Sequence, residues 1–381
     1  MNISSKLPQV GTTIFTQMSQ LAHRHKALNL AQGFPDFKTD PTIHQLVTTA
    51  MQDGYNQYAP MKGVYSLRQK IAEKANRLYQ SDYHPEHEVT VTAGATQAIF
   101  SIIAAFVSPG DEVVVLKPAY DCYEPAIAVQ GGKVIPIQLE APSFKVNWKA
   151  VRNAIGPATK MMIINTPHNP TASVLSEEDM QQLADVLRGT NIILLSDEVY
   201  EHIIFDGRSH QSVARFPELK ERSFITASFG KTFHLTGWKM GYVLGPKDLM
   251  VEFQKVHQFN VFCVNHPMQR AFAKYLENPE HYLQLPEFYQ RKRDIFLDAI
   301  KDSKFTMTPA SGTYFQLLNY SNISQEDDMR FAQWLTQEKG LAAIPTSVFN
   351  IDQKNNYNLR FCFAKEDDSL LRAADILNSI T

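Results

Sequence analysis

The stretch Phe224-Ile225-Thr226-Ala227-Ser228-Phe229-Gly230-Lys231-Thr232 sets the reading of the whole chain. A short apolar run delivers directly into a polar turn that carries a lysine beside a glycine. A second lysine follows in Thr236-Gly237-Trp238-Lys239-Met240-Gly241-Tyr242. A lysine between a buried strand and a glycine-bracketed loop is a candidate imine-forming amine, because desolvation makes the neutral nucleophile easier to reach. Ser228 and Lys239 supply a hydroxyl and a fixed positive charge, which together suit a bound phosphate.

Outward from this segment, residues 86 to 245 alternate short apolar runs with helical stretches. Strands are expected at Val89–Thr92, Glu112–Leu116, Val134–Leu139, Met161–Asn165, Ile192–Ser196, Phe224–Ser228 and Tyr242–Leu244. A helix is expected from Ser176 to Arg188, opening on the capping pattern Ser176-Glu177-Glu178-Asp179 and stopping at Gly189. Near-continuous apolar strands alternating with helices predict an α/β fold with a mostly parallel seven-stranded sheet covered on both faces. In such sheets ligands bind at the carboxyl ends of the strands.

After Gly245 the texture changes. A helical stretch from about Pro279 to Lys301 leads to strands expected at Thr313–Leu318 and Asn358–Phe363, flanked by helices at Asp327–Glu338 and Glu366–Ser379. The division expected is a large ligand-binding domain over 41–280 and a small α+β domain over 281–381. Residues 1–40 form a segment packing with the small one.

Composition narrows the function. The chain has 381 residues, enough for a sizeable core, and a net charge of −2, which offers nothing to nucleic acid or an anionic membrane. Cys122, Cys263 and Cys362 are widely spaced and form no C-x-x-C pair, which argues against a disulfide framework, a structural zinc site or any other metal centre. Met1 to Gly11 lacks an apolar signal core and no apolar run is long enough to span a bilayer, so a reducing cytoplasm is expected.

Four strand ends carry polar groups that suit one ligand. Ala93-Gly94-Ala95-Thr96-Gln97 follows the first strand and opens a helix expected at Gln97–Val107; free amides there, with the Thr96 hydroxyl, form a phosphate cradle. Asn165-Thr166-Pro167-His168-Asn169-Pro170-Thr171 is a rigid turn that fixes Asn169, whose amide can hold a phenolate oxygen. Ser196-Asp197-Glu198-Val199-Tyr200-Glu201 puts an acid at the end of a buried strand, where it needs a cationic partner. A protonated pyridine nitrogen would serve, and the pair would make the ring an electron sink for an adjacent carbanion. Tyr200 can donate to the same ring's phenolate. Lys231 is the fourth, thirty-four residues beyond Asp197. Cradle, acid and imine lysine together point to pyridoxal 5'-phosphate.

With these pieces in order, the chain resembles a class I aminotransferase of the fold-type-I pyridoxal-phosphate superfamily. The resemblance rests on N-L-A-Q-G-F-P-D-F (29–37), N-Q-Y-A-P-M-K-G (56–63), T-A-G-A-T-Q-A (92–98), N-T-P-H-N-P-T (165–171), S-D-E-V-Y (196–200), S-F-G-K-T-F (228–233), T-G-W-K-M-G-Y (236–242) and N-L-R-F-C-F-A (358–364). It is nearest to the branch that holds methionine aminotransferase, kynurenine aminotransferase and glutamine transaminase K. The resemblance implies that Lys231 binds the cofactor aldehyde and serves as general base, and that Asp197 pairs with the ring nitrogen. Asn169 and Tyr200 would hold the ring oxygen, Ala95, Thr96, Ser228 and Lys239 the phosphate, and Tyr120 would stack on the ring. Tyr58 would reach the phosphate of a neighbouring subunit, which implies a homodimer with shared active sites.

For an amino-acid substrate the planar receptor of choice is arginine, and Arg360 lies in an otherwise apolar strand. The family places the carboxylate-binding arginine in this motif, completed by the Gly33 backbone and the Asn169 amide. Phe15, Phe34, Tyr58, Tyr120 and Phe262 are expected to line the side-chain pocket, and aromatic walls favour sulfur-containing and aromatic side chains. The expected activity is therefore ping-pong transfer of the amino group of methionine, and of other large neutral or aromatic amino acids, to a 2-oxo acid. Cys263 stands where the kynurenine branch carries histidine, so kynurenine specificity does not carry over with the motifs, and a kynurenine- or glutamine-type aminotransferase is the alternative within the family. A cysteine-conjugate carbon–sulfur β-lyase on the same scaffold would share the same carbanion. A ligand-sensing regulator would need an N-terminal DNA-binding domain, for which the roughly 30 residues before the first motif leave no room.

Overall fold

The computed structural model describes residues 3–380. Its strands are β1 (Leu28–Asn29), β2 (Val89–Thr92), β3 (Glu112–Lys117), β4 (Lys133–Gln138), β5 (Thr159–Asn165), β6 (Ile193–Asp197), β7 (Ser223–Ser228), β8 (Gly241–Leu244), β9 (Phe315–Asn319), β10 (Leu341–Ala342), β11 (Ile344–Pro345) and β12 (Asn358–Cys362). Seven of them form the central sheet in the order β2-β8-β7-β6-β5-β3-β4. Neighbours run parallel except at β8, which is antiparallel to both β2 and β7. The expected fold class holds.

Two-residue periodicity gives this sheet two cores. Val113 and Val115 of β3, with Ile193 and Leu195 of β6, pack on one face against Ile99, Ile102 and Ile103 of the helix Ala95–Phe106 and Phe253 of the helix Lys247–Asn260. Val114, Leu116 and Leu194 point the other way, into a core shared with Leu67 and Ile71 of the helix Tyr65–Tyr79 and Leu183 of the helix Glu177–Leu187. Every residue of β2, β6 and β8 is buried, as a strand covered on both faces requires. The helix Glu177–Leu187 starts where its sequence says it should. Ser176 accepts from the Asp179 amide and the Asp179 carboxylate accepts from the Ser176 backbone.

Beyond β8, the strands β11-β12-β9 make a small antiparallel sheet, with Arg360 of β12 opposite Leu317 of β9 and Ile344 of β11. The N-terminal β1 pairs in parallel with β10, Leu28 opposite Leu341, and the helix Ile14–His25 packs against the helix Asp328–Glu338.

Most expected limits move by a residue or two, and three of the changes have a clear local cause. The helix expected from Gln97 begins at Ala95, because Gly94 takes the capping position with φ of 80°. The stretch expected to be helical from Pro279 to Lys301 divides at Gln284 into Glu280–Leu283 and Leu285–Ala299, with Pro286 in the first turn of the second helix. The strand expected at Thr313 starts at Phe315, because Thr313 adopts a left-handed backbone with φ of 63°.

Candidate active site

One cavity of about 260 Å³ opens at the carboxyl ends of β2, β5, β6 and β7. It brings together Phe15, Gly33, Ala95, Thr96, Tyr120, Asn169, Asp197, Tyr200, Ser228, Lys231, Lys239 and Arg360, all singled out in the sequence. The chain segments that meet there are separated by hundreds of residues, so only the fold could assemble them.

Lys231 lies in the short helix Phe229–Thr232 that β7 feeds. Its Nζ donates to the Gly33 carbonyl at 3.0 Å and to the Tyr314 hydroxyl at 2.7 Å, and that hydroxyl donates in turn to the Gly33 carbonyl at 2.6 Å. Burial pushes the amine down to about 8, with the nearby Arg360 and Lys239 charges acting in the same direction. A substantial neutral fraction near physiological pH is what a nucleophile or base needs. A Cβ on Gly33 would stand 2.7 Å from Phe315 Cζ, so any larger residue there would have to displace that ring.

Asp197 is the last residue of β6 rather than the first of the following turn. Its carboxylate accepts from the Tyr123 hydroxyl at 2.6 Å and from the Val199 amide at 3.3 Å. Burial dominates nonetheless and lifts its pKa to about 6. The neighbouring acids turn away from the cavity. Glu198 takes the Ser196 hydroxyl and His210, each at 2.8 Å, while Glu201 takes Lys74 at 2.5 Å and the Tyr242 hydroxyl at 2.7 Å. Of the three carboxylates in this stretch, Asp197 alone faces the cavity.

At the cradle end, Gly94 leaves the helix Ala95–Phe106 without a side-chain cap, so the first amides remain free. A Cβ on Gly94 would lie 3.7 Å from Lys239 Nζ, so an ammonium stands over the amino terminus of that helix. The Ala93 amide, by contrast, is already used by Gln97 Oε1 at 3.0 Å. Free amides, the helix dipole, Ser228 and an ammonium make a site for a dianion.

Across the cavity, Arg360 is buried with its guanidinium stacked 3.8 Å from the Phe315 ring centroid and 5.1 Å from that of Phe15. Nη1 donates to Asn169 Oδ1 at 2.6 Å and Nη2 to the Ala31 carbonyl at 3.2 Å, while Nε has no partner. Asn169 is fixed through its backbone N–H, which donates to Asn165 Oδ1 at 2.8 Å; the Asn165 side chain donates onward to the Asp197 backbone carbonyl at 2.8 Å. A buried guanidinium with an unused donor is a receptor awaiting an acceptor-only group such as a carboxylate.

The profile of the family described as aminotransferase class I and II matches residues 25–377. The chain belongs to this family. It is 48% identical to the methionine aminotransferase of Escherichia coli K12 over 99% of this chain and 98% of that one. A solved Escherichia coli structure reported with a methionine aminotransferase function superposes with a TM-score of 0.97 at 48% identity, covering 99% of each chain. The N-succinyldiaminopimelate aminotransferase of Mycobacterium tuberculosis superposes with a TM-score of 0.95 at 35% identity, covering 100% of each chain. Human kynurenine–oxoglutarate transaminase 3 is 31% identical over 99% of this chain and 90% of its own length.

Three expected pocket residues of this aminotransferase do not line the cavity of their own chain. Tyr58 is 81% exposed and Phe262 52% exposed, and their rings meet edge-to-face at 5.2 Å on the surface. Phe34 is turned out under Lys365 Nζ, which lies 4.7 Å from its ring centroid. Gly33 does line the cavity; its carbonyl accepts from Lys231, and Arg360 donates to the Ala31 carbonyl two residues earlier. Sequence reasoning missed Tyr314 and Tyr123. Tyr123 opens the helix Tyr123–Val129 three residues past Tyr120 and lay beside a residue already singled out, whereas Tyr314 meets Lys231 from 83 residues away and had no local signal. Among the described residues, no cluster of side chains suits a metal ion and no helix is long and apolar enough to cross a membrane.

Proposed function

We propose that this aminotransferase uses pyridoxal 5'-phosphate to move the amino group of methionine, and of other large neutral or aromatic amino acids, to a 2-oxo acid. The observation that carries the reading is the convergence, in one cavity, of the Lys231 amine, the buried Asp197 carboxyl and the free amides beneath Lys239. These residues fit the cofactor. The uncapped helix start, Ser228 and Lys239 would hold its phosphate, Asp197 its ring nitrogen, Asn169 and Tyr200 its ring oxygen, and Tyr120 its face. When bound, the cofactor supplies an aldehyde for amine exchange and a ring that withdraws electrons from the substrate Cα.

The chain's own groups do the rest. Lys231 Nζ, partly neutral, would take the proton from the substrate Cα and pass it to the carbon of the cofactor's aldehyde group, and would move a proton the opposite way in the return half-reaction. Arg360 receives the carboxylate through N–H donors that Asn169 and Ala31 leave free, and its stacking between Phe15 and Phe315 fixes the plane in which that carboxylate lies. Asp197 stays ionised above about pH 6, ready for a cationic ring. The cavity's cations are Lys231, Lys239 and Arg360. Each has a task within the chain, which favours neutral side chains over a second carboxylate. The aromatic lining of Phe15, Tyr120, Tyr200 and Phe315 suits a thioether or a ring. The Escherichia coli relative supports methionine in particular.

The exposed pair of Tyr58 and Phe262 supports a homodimer in which each chain completes its partner's site. The three free thiols support a reducing, cytoplasmic setting. Pairing of β1 with β10 supports grouping residues 1–40 with 281–381, around a cofactor-binding part at 41–280. Incubating purified protein with methionine and a 2-oxo acid tests the reading: one oxo acid should be aminated for each methionine consumed. Ammonia and pyruvate released from a cysteine conjugate with no acceptor present, and no transfer from methionine, would replace it with the β-lyase.

A further inference from the structure

We propose that Tyr314 is a positioning residue for Lys231: its hydroxyl and the Gly33 carbonyl form a two-acceptor dock that holds the lysine amine whenever that amine is free. The inference rests on the proposed function, in which Lys231 must let go of the cofactor and then work as a base.

The dock is built with unusual care for a feature that no sequence motif marks. The Tyr314 hydroxyl spends its single proton on the Gly33 carbonyl at 2.6 Å, so towards Lys231 it can act only as an acceptor, at 2.7 Å. The Gly33 carbonyl is the second acceptor, at 3.0 Å. Two N–H bonds of the amine are thereby aimed, and its third tetrahedral position is left over for a proton or a lone pair. The Tyr314 ring cannot swing away, because it is fully buried and Tyr200, Tyr289 and Phe315 pack on it at 5.2, 5.7 and 5.0 Å between ring centroids.

The backbone points the same way. Thr313, immediately before the tyrosine, sits at φ of 63°, a conformation in which a β-branched residue is a genuine outlier. It is held there by donation from its amide to the Ile203 carbonyl at 2.9 Å, while Ser311 and Gly312 both donate to the Ala172 carbonyl. Backbone kept in an unfavourable region by surrounding bonds is a sign that a direction is being enforced. Here it turns Tyr314 inward. The other half of the dock is equally pinned, since Gly33 lies between Ala31, whose carbonyl accepts from Arg360, and Phe34, whose carbonyl accepts from Lys365 at 2.9 Å. One short segment thus holds both the amine and the guanidinium in register.

Tyr314→Phe removes one acceptor and little volume. The test compares the parent, Tyr314→Phe and Tyr289→Phe, each as the full chain freed of cofactor, by measuring how fast a small acylating reagent modifies Lys231, resolved by peptide mass spectrometry across pH. Tyr289 is the control, because its hydroxyl faces His234 Nδ1 at 2.8 Å and not the lysine. The other groups facing the amine are Asp197 from β6, Arg360 and Cys362 from β12, Tyr200, and Lys239 before β8, and they are common to all three proteins. An acceptor stabilises an ammonium more than an amine, so Tyr314→Phe should move the midpoint of Lys231 modification down by about one pH unit. Tyr289→Phe should leave it in place. In the loaded enzyme Tyr314→Phe should lower kcat about tenfold with the KM for methionine within about twofold, because misaiming a base affects the step and not the binding. An unchanged midpoint in Tyr314→Phe, or an equal change in Tyr289→Phe, overturns the dock. The modification profile does not depend on transamination: a shifted midpoint in a protein that fails to transfer amino groups keeps the dock and removes the function.

Discussion

The cradle at Ala95, Thr96 and Lys239 and the wall at Arg360 close the same cavity by opposite means. The cradle is backbone. It consists of uncapped amides at the start of a helix that a single strand delivers, with one ammonium laid over them. The wall is side chain against side chain. Arg360 comes from β12, its stacking partners from the N-terminal helix and β9, and its hydrogen bonds run to Ala31 and Asn169. A site made of amides tolerates neighbours of many shapes and recognises charge. One made of a stacked guanidinium is only as good as the three distant segments that hold it. The difference suggests that the cradle sets whether the cofactor stays and the wall sets which substrate is turned over.

Lys231 belongs to both regions, and its loss should have the largest effect. Lys231→Ala should reduce turnover by about 10⁴-fold or more while the fold survives, measured as kcat beside a thermal unfolding curve. Retained steady-state activity would remove the lysine from the mechanism and end the comparison. Next, Arg360→Ala should cost about 10²–10³ in kcat/KM for methionine, roughly 3–4 kcal/mol, with cofactor affinity nearly unchanged. Lys239→Ala should do the reverse, weakening pyridoxal phosphate binding about 10- to 100-fold in an equilibrium titration while saturating cofactor restores most of the turnover. If either variant disturbs both constants alike, the two ends are not separate devices.

Between these in character is the effect of pH. Burial holds the free Lys231 amine at about 8 and the Asp197 carboxyl at about 6. The amine is nucleophilic only when neutral, so the rate at which cofactor-free protein captures pyridoxal phosphate should climb about tenfold per pH unit towards pH 8 and flatten above it. Because protonated Asp197 cannot pair with a cationic ring, affinity should also fall as pH drops through 6. Stopped-flow absorbance across pH 5 to 10 would read both limbs, and a flat profile would refute the lysine value.

The same contrast explains what the sequence made legible. Ala95, Thr96, Ser228, Asn169 and Asp197 lie at or just past the ends of apolar runs, so strand periodicity and the rule about carboxyl ends drew attention to them, whereas Lys239 precedes β8 and was seen through its motif. Strand limits moved by one or two residues, as where Asp197 closes β6 instead of following it. Arg360 was visible as a lone cation in an apolar strand, but its stacking on Phe315 was not, because β9 and β12 meet only through pairing across the small sheet. Tyr314 was invisible for a physical reason. What makes it special is a strained backbone at Thr313 and a partner elsewhere in the chain, and neither leaves a pattern in composition or spacing. The subunit-bridging role of Tyr58 came from family resemblance alone, Phe262 was an aromatic candidate for the pocket wall, and within a single chain both remain on the outside.

One consequence follows from the reversed direction of β8. Gly241, its first residue, lies level with Ser228 and Thr92, the last residues of β7 and β2. Chain leaving the sheet at Ser228 therefore comes back at the same edge, and both lysines of the site ride on that one return loop. Their separation is set by the length of a single connector, so inserting or deleting one residue anywhere from Phe229 to Met240 should dislodge the two together, whereas a comparable change in any other crossover would leave the pair intact.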